Sequence, residues 1–364
     1  MTQQKKTGLS PRPLPEISRE NNFDHIRLFL ALGVFLYHIG ELTQREDLQI
    51  PGGMNIALIA VHSFFIVSGF LIFMSYERSS SLKRYFIKRI RRIAPGYIAV
   101  ILLSFLLLSL ISRVPAGSYF TSVESLKFLL ANLSTMNFLH PTLPGLFEGQ
   151  PYSAVDGSLW TIKIELGFYL AVPLIAWFYR WSTVAKVLIA TFILSTLFYF
   201  LMGYLYRQEH LSIFAIMQRQ LPSQMIFFSS GALLYYYFAL FKRHSTLLIT
   251  AALLLLLSQR LFGSSLLYPL YALSLSVVIV YLALIIPRLG NIARWGDLSY
   301  GIYIWHFPVV QTFISLQLFD RHPRVALVGL ILIVLLLSWL SWHLIEKPFL
   351  GKKSHYLQED SGSR

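Results

Sequence analysis

The chain has no cysteine. That excludes disulfides, thiolate metal sites and a cysteine nucleophile, and it leaves the redox compartment open. Charge is scarce as well: of 364 residues only 13% are charged, against 55% apolar and 15% aromatic. A soluble domain of this size would not carry so much apolar surface. The period-two alternation of a membrane barrel is missing from runs such as 100–111, 251–257 and 325–339, which are continuously apolar. Helices are therefore the expected element. Missing too is an internal repeat of the kind that marks many transporters.

What is present is a series of apolar stretches near or above the roughly 18–20 residues that a helix needs to cross a ~30 Å hydrocarbon core. The sequence predicts an all-α, polytopic integral membrane helix bundle of about ten transmembrane helices. The spans are placed at 26–42, 55–77, 94–112, 158–179, 186–204, 222–241, 245–261, 264–286, 298–318 and 325–345. The net charge of +14 reads as membrane orientation, with no role for nucleic acid. With the N-terminus in the cytoplasm, 21 Lys and Arg fall in inside segments, 8 in outside segments and 2 within spans. The positive-inside rule thus favours both termini in the cytoplasm.

The first apolar segment carries Arg27 and lacks a small-residue cleavage site, so it is expected to be retained. Residues 1–24, with Pro11, Pro13 and Pro15, read as a flexible cytoplasmic N-terminal segment, 25–347 as the membrane domain and 348–364 as a short cytoplasmic tail. The longest connection, 113–157, lies outside. It is expected to hold a short amphipathic helix over 123–132 and to cover a substrate entrance.

Ionisable side chains inside a bilayer cost a few kcal/mol or more unless paired or wet, and are the default functional candidates. Arg27 and His38 are eleven residues apart, three helical turns plus about 20°, so they share one face with roughly 16 Å between them along the axis. That face offers a cation at the inner end and a titratable base in the outer half; the plain alternative is a snorkelling Arg and a packing His. Glu165, two turns inside the fourth span, needs a partner: Lys163, or a group on another helix such as His38, with a structural ion pair as the plain alternative. Arg78, Lys83, Arg84, Lys88, Arg89, Arg91 and Arg92 crowd the segment before the third span. They read either as a topology signal or, in Arg89, Arg91 and Arg92, as a grip on the phosphates of a cytoplasmic donor. The ninth span carries Ser299-Tyr300-Gly301-Ile302-Tyr303-Ile304-Trp305-His306-Phe307-Pro308, in which His306 lies at depth and the aromatics read first as packing.

Five of these segments, in this order, resemble the acyltransferase-3 family, the membrane acyltransferases of bacterial surface and secreted glycans. They are Phe23-Asp24-His25-Ile26-Arg27 continuing to His38, which fits the family's Arg, ten residues, His pattern; Phe64-Phe65-Ile66-Val67-Ser68-Gly69-Phe70-Leu71; Arg89 to Pro95; Ser158-Leu159-Trp160 to Tyr169; and Leu298 to Pro308. A closing Glu346-Lys347-Pro348-Phe349 also fits.

The resemblance covers most of the chain. It implies a cytoplasmic acyl-CoA donor, most simply acetyl-CoA, and no metal. The implied acceptor is a saccharide hydroxyl on a lipid-linked or growing glycan, reached from the outer side. It implies His38 as general base or transient acyl carrier, and Glu165 as the group that orients it. Arg27, Arg89, Arg91, Arg92 and Ser68 would meet the donor. Trp160, Tyr300, Tyr303 and His306 become candidates for substrate or oxyanion contacts. The implied location is a bacterial cytoplasmic (inner) membrane, in contact with membrane lipids and with room for a homo-oligomer. The competing class is a transporter of an acyl group or glycan that uses Arg27, His38, Glu165 and His306 as a proton or anion path.

Overall fold

The computed structural model describes residues 15–351 apart from 19, 180 and 264. Most of the expected N-terminal segment and of the C-terminal tail lies outside the described residues. Among the described residues the chain is all-α, with no strand. The helices are α1 (Phe23–Thr43), α2 (Gly53–Glu77), α3 (Leu82–Leu108), α4 (Ala116–Thr121), α5 (Val123–Leu133), α6 (Trp160–Phe178), α7 (Val184–Glu209) and α8 (Ser212–Met217). They continue with α9 (Leu221–Tyr236), α10 (Phe238–Arg243), α11 (Ser245–Phe262), α12 (Tyr268–Leu284), α13 (Leu298–Ser315), α14 (Leu318–Arg321) and α15 (Pro323–Leu340). A π-helical turn over Ser341–Glu346 extends α15.

Each of the ten expected spans overlaps one of these helices, and 222–241 runs across the break at Tyr237 between α9 and α10. Seven, α1, α2, α3, α6, α7, α11 and α15 with its extension, are long and apolar enough to cross a membrane. The other three, α9, α12 and α13, have 16, 17 and 18 residues. Helix α13 departs from the apolar pattern for a physical reason. Most of its length is buried in protein, so it carries His306 and Gln311 without facing lipid. Helix α11 is the opposite case: apolar on all sides, it buries only Ala252.

Two elements differ from expectation. Helix α3 begins at Leu82, so Lys83 to Arg92 lie on its first turns and not in a preceding loop. That stretch is amphipathic. Tyr85 and Ile93 are buried while Lys83, Lys88 and Arg91 are exposed, and hydropathy alone misses a helix built this way. The connection over 113–157 holds the expected amphipathic helix as α5, capped by Ser122 Oγ accepting from Ser125 N at 3.0 Å, and adds the one-and-a-half turns of α4 before it.

The chain divides into two compact units. The first comprises the residues up to Ile26, Val61–Ile87 and Ile164–Leu289. Its core is rich in paired aromatics: Phe168 stacks on Phe228 at 4.2 Å between centroids, while Phe65 meets Phe168 edge-on at 5.2 Å and Phe70 meets Tyr235 edge-on at 5.4 Å. Helices α2 and α9 cross there with their backbones in contact. A Cβ on Gly69 would run into the carbonyl of Phe228, and one on Gly231 into that of Ile66.

The second unit comprises Arg27–Ala60, Lys88–Lys163 and the residues from Gly290 on. Helix α13 runs antiparallel to α15, with Gly301 against the backbone of Ser338. It lies parallel to α1 and α3, which it meets through the polar groups described next.

Candidate active site

Helices α1 and α13 are joined by two polar rungs, named inner and outer for the orientation that the sequence leads one to expect. At their N-terminal ends Arg27 Nη1 lies 3.3 Å from Asp297 Oδ2. Toward their other ends His38 Nδ1 lies 2.8 Å from His306 Nε2. Eleven residues separate the rungs on α1 and nine on α13, close to the same rise of about 1.5 Å per residue on each. The shared face expected of Arg27 and His38 is thus the face that α1 turns to α13.

The inner rung is part of a larger ion cluster. Arg92 of α3 donates from Nη2 to the same Asp297 Oδ2 at 2.6 Å and from Nη1 to Glu346 Oε2 at 2.8 Å. Ser341 Oγ donates to the other oxygen of Glu346 at 2.9 Å, and Ser299 Oγ to Asp297 Oδ1 at 2.6 Å. The guanidinium of Arg92 also lies over the Tyr300 ring, 5.1 Å from its centroid. Burial would raise the Asp297 carboxyl, but the Arg27 and Arg92 charges and the Ser299 bonds outweigh it and hold the group below its ordinary range. Two arginines here face two carboxylates, and such pairing is the condition under which ions tolerate burial. The closing Glu346-Lys347-Pro348-Phe349 motif therefore places its glutamate on Arg92.

At the outer rung the two imidazoles are nearly coplanar, 18° apart with centroids at 5.0 Å. Nδ1 of His306 lies 3.0 Å from the carbonyl of Ile302, one turn earlier on α13. His306 is fully buried and His38 half-buried. Phe307 meets His38 edge-on at 5.3 Å, and Gly157 is pressed to the Phe307 ring, where a Cβ would come within 2.8 Å.

Residues 152–161, which lead into α6, wrap this end of the pair. Tyr152 OH donates to Glu41, one turn beyond His38 on α1. Gln311 Nε2 of α13 donates to the carbonyls of Tyr152 and Ala154 at 2.6 and 2.9 Å. Ser158 Oγ donates to Asp156 Oδ1 at 2.6 Å, and its backbone N–H to the same oxygen at 2.8 Å. Oδ2 of Asp156 is buried with no hydrogen-bond partner. Burial pushes the Asp156 carboxyl up to about 7, against the two bonds from Ser158.

Of the residues singled out in the sequence, the second unit brings together His38 with His306 and Arg27 with Arg92. Tyr303 OH pairs with Thr161 Oγ1 at 2.7 Å, and Tyr300 OH donates to the Ile93 carbonyl at 2.9 Å, so both hydroxyls serve helix packing in this state. Trp160 and Arg89 are half-buried and Arg91 is exposed. Lys163 Nζ lies over the Phe138 ring at 4.3 Å. In the first unit Glu165 accepts from Tyr169 OH at 2.6 Å, and Ser68 is half-buried beside Gly69.

Of three acidic residues here, Asp297 and Asp156 escaped the sequence reading and Glu346 entered it only within the closing motif. The signal available was scarcity. The chain has only 17 Asp and Glu, and each of these three sits at the border of an apolar run.

A family model described as an acyltransferase domain matches residues 20–343. The chain is 26% identical over 355 residues to an O-acetyl transferase of Shigella phage Sf6, covering 94% of this chain and 99% of the relative. It is 29% identical over 354 residues to nodulation protein 10 of Rhizobium leguminosarum bv. viciae, covering 90% and 92%. A putative acetyltransferase of Acidianus two-tailed virus is 29% identical over 319 residues, covering 81% and 86%. No solved structure matches.

Proposed function

The chain belongs to the acyltransferase-3 family and is an acyltransferase, and from that premise we propose that it is a membrane O-acyltransferase that moves an acetyl group from cytoplasmic acetyl-CoA to a sugar hydroxyl of a surface or lipid-linked glycan. The observation that carries this reading is the outer rung: a half-buried histidine on α1, hydrogen-bonded to a second histidine, set on the same helix face as Arg27. His38 is the general base that takes the acceptor hydroxyl proton as the oxygen attacks the thioester carbonyl. A thioester is already activated, so a positioned base and stabilisation of the developing oxyanion suffice. The proton passes to the leaving CoA sulfur, and the enzyme returns to its starting state.

The donor's phosphates meet the Arg89–Arg92 segment of α3. Arg91 is the exposed member, and Arg27 and Arg92 are held in place by Asp297 and Glu346. Ser68 and Glu165 lie in the first unit and take no step in this reading. Seven apolar helices and the family make the chain an integral membrane protein. The parallel course of α1 and α13, first and ninth of the expected spans, supports a count in which odd spans run one way. Both termini then lie in the cytoplasm, in the inner membrane of a bacterium.

The test is incubation of the purified, detergent-solubilised protein with acyl-labelled acetyl-CoA and a membrane glycan extract, read by mass spectrometry. Wild type is expected to label a saccharide, and His38→Ala to lose the label by at least about 10²-fold, the lower end of what a general base contributes. Wild-type labelling by His38→Ala would remove His38 from the chemistry. Transport of substrate with no acylated product would replace the transferase reading altogether.

A further inference from the structure

Hydrogen-bond bookkeeping at the outer rung settles which nitrogen of each neutral ring carries a proton. The carbonyl of Ile302 can only accept, so His306 Nδ1, at 3.0 Å, is its N–H donor. A neutral imidazole has one N–H, so His306 Nε2 is an acceptor. The atom 2.8 Å from it, His38 Nδ1, must then donate. The proton of His38 is fixed on Nδ1, and Nε2 keeps its lone pair. No hydrogen bond to Nε2 is made among the described residues.

We infer that His306 is a positioning residue: it takes the place of the carboxylate in a Ser-His-Asp arrangement, holding His38 in the tautomer whose Nε2 accepts the proton of the acceptor hydroxyl. The inference rests on the acyl-transfer reading for its catalytic use and on geometry alone for the tautomer. In the reaction the acceptor O–H proton moves to His38 Nε2, the oxygen forms the new bond to the acyl carbon, and the C–S bond to CoA breaks. His38 Nε2–H then protonates the thiolate, giving ester and free thiol with both imidazoles as they began. Throughout, His38 Nδ1–H goes on donating to His306, so the ring neither turns nor changes tautomer between the two proton transfers.

The surroundings support this role. The titratable groups near the pair are tyrosines and one glutamate: Tyr37 at 5.2 Å from His38, Tyr303 at 6.1 Å from His306, and Glu41 one turn outward, engaged by Tyr152. Phe35 and Phe307 pack on the rings at 5.7 and 5.3 Å. No carboxylate hydrogen-bonds to either imidazole among the described residues, so the carbonyl of Ile302 supplies the fixed acceptor at the end of the chain, through His306.

The full-length protein, labelled with [15N]histidine, tests this directly. The His38 resonances are those lost in His38→Gln. In wild type they are expected to show Nδ1 protonated and Nε2 unprotonated; an Nε2–H tautomer would overturn the inference whatever the activity. Kinetics give the second readout. His306→Phe removes the acceptor and is expected to lower kcat by about 10²–10⁴-fold, the range for losing a positioned base, with the acetyl-CoA KM nearly unchanged. His306→Gln, whose side-chain carbonyl can accept from Nδ1–H, is expected to recover much of that loss. Wild-type kcat in folded His306→Phe would overturn the positioning role. Should His306→Phe not fold, the wild-type spectrum and the His306→Gln kinetics still decide. Full activity in His38→Gln would instead sink the base assignment, and the tautomer measurement separates that failure from this one.

Discussion

Asp156 shows how much a single buried group can carry at the residue scale. Its carboxyl is 7% exposed, and burial raises it to about 7 against the two hydrogen bonds from Ser158. Raised above its unfolded value near 3.9, the group binds a proton more tightly in the folded state. Its contribution to stability is therefore full below about pH 4 and is lost as pH rises through about 7. We expect Asp156→Asn to abolish this dependence and to leave the variant more stable than wild type at pH 8, by roughly 1–4 kcal/mol. Melting temperatures in detergent between pH 5 and pH 8 check it; parallel curves for the two proteins would show that Asp156 stays ionised. The same residue scale separates two kinds of polar site. In the Arg27, Arg92, Asp297, Glu346 cluster each carboxylate meets a guanidinium, whereas Asp156 Oδ2 is buried without a hydrogen-bond partner and the half-buried ring of His38 leaves Nε2 unengaged among the described residues.

Among elements, the crossing of α2 and α9 is the tightest constraint. The resemblance put Ser68, beside Gly69, among the residues that would meet the donor. In the first unit the space above Gly69 is taken by the Phe228 carbonyl of α9, and that above Gly231 by the Ile66 carbonyl of α2. Backbone atoms cannot swing aside as a side chain does, so Gly69→Ala must push the helices apart. It is expected to cost about 1–3 kcal/mol, as overpacking does, and to lower the melting temperature while Ser68→Ala leaves it near wild type. An unshifted Gly69→Ala melt would mean that the helices are not in backbone contact. Helix α3 makes the complementary point. Its first turns were legible only as a basic cluster because charge masks the amphipathic pattern of Tyr85, Ile93 and their neighbours, and the helix emerges once burial is known.

For the whole molecule, the absence of cysteine is an experimental gift as well as an exclusion. Single cysteines can be introduced on an empty background. Lys83→Cys, at the start of α3, is expected to react with a membrane-impermeant maleimide only after the membrane is opened. Lys127→Cys, on α5, is expected to react in intact cells. The reverse pattern would invert the orientation, and labelling of both from outside would overturn the span count between them. Parallel α1 and α13, antiparallel α13 and α15, and parallel α2 and α9 all agree with alternating spans, each within one unit.

The sequence by itself determined where the long apolar helices lie, though not the first turns of α3 or the short α4, because apolar run length is a local property set by the bilayer. It also determined that Arg27 and His38 share a face, because helical twist is a property of one element. Only the tertiary structure decided what that face meets. It gives His38 a hydrogen bond to His306, Glu165 one to Tyr169, and Arg27 and Arg92 a shared carboxylate in Asp297. Those partners lie up to 270 residues away along the chain. Hydrophobic periodicity says which side of a helix is covered but not by which helix, and a buried polar group takes its chemistry from the particular donor or acceptor that packing sets against it.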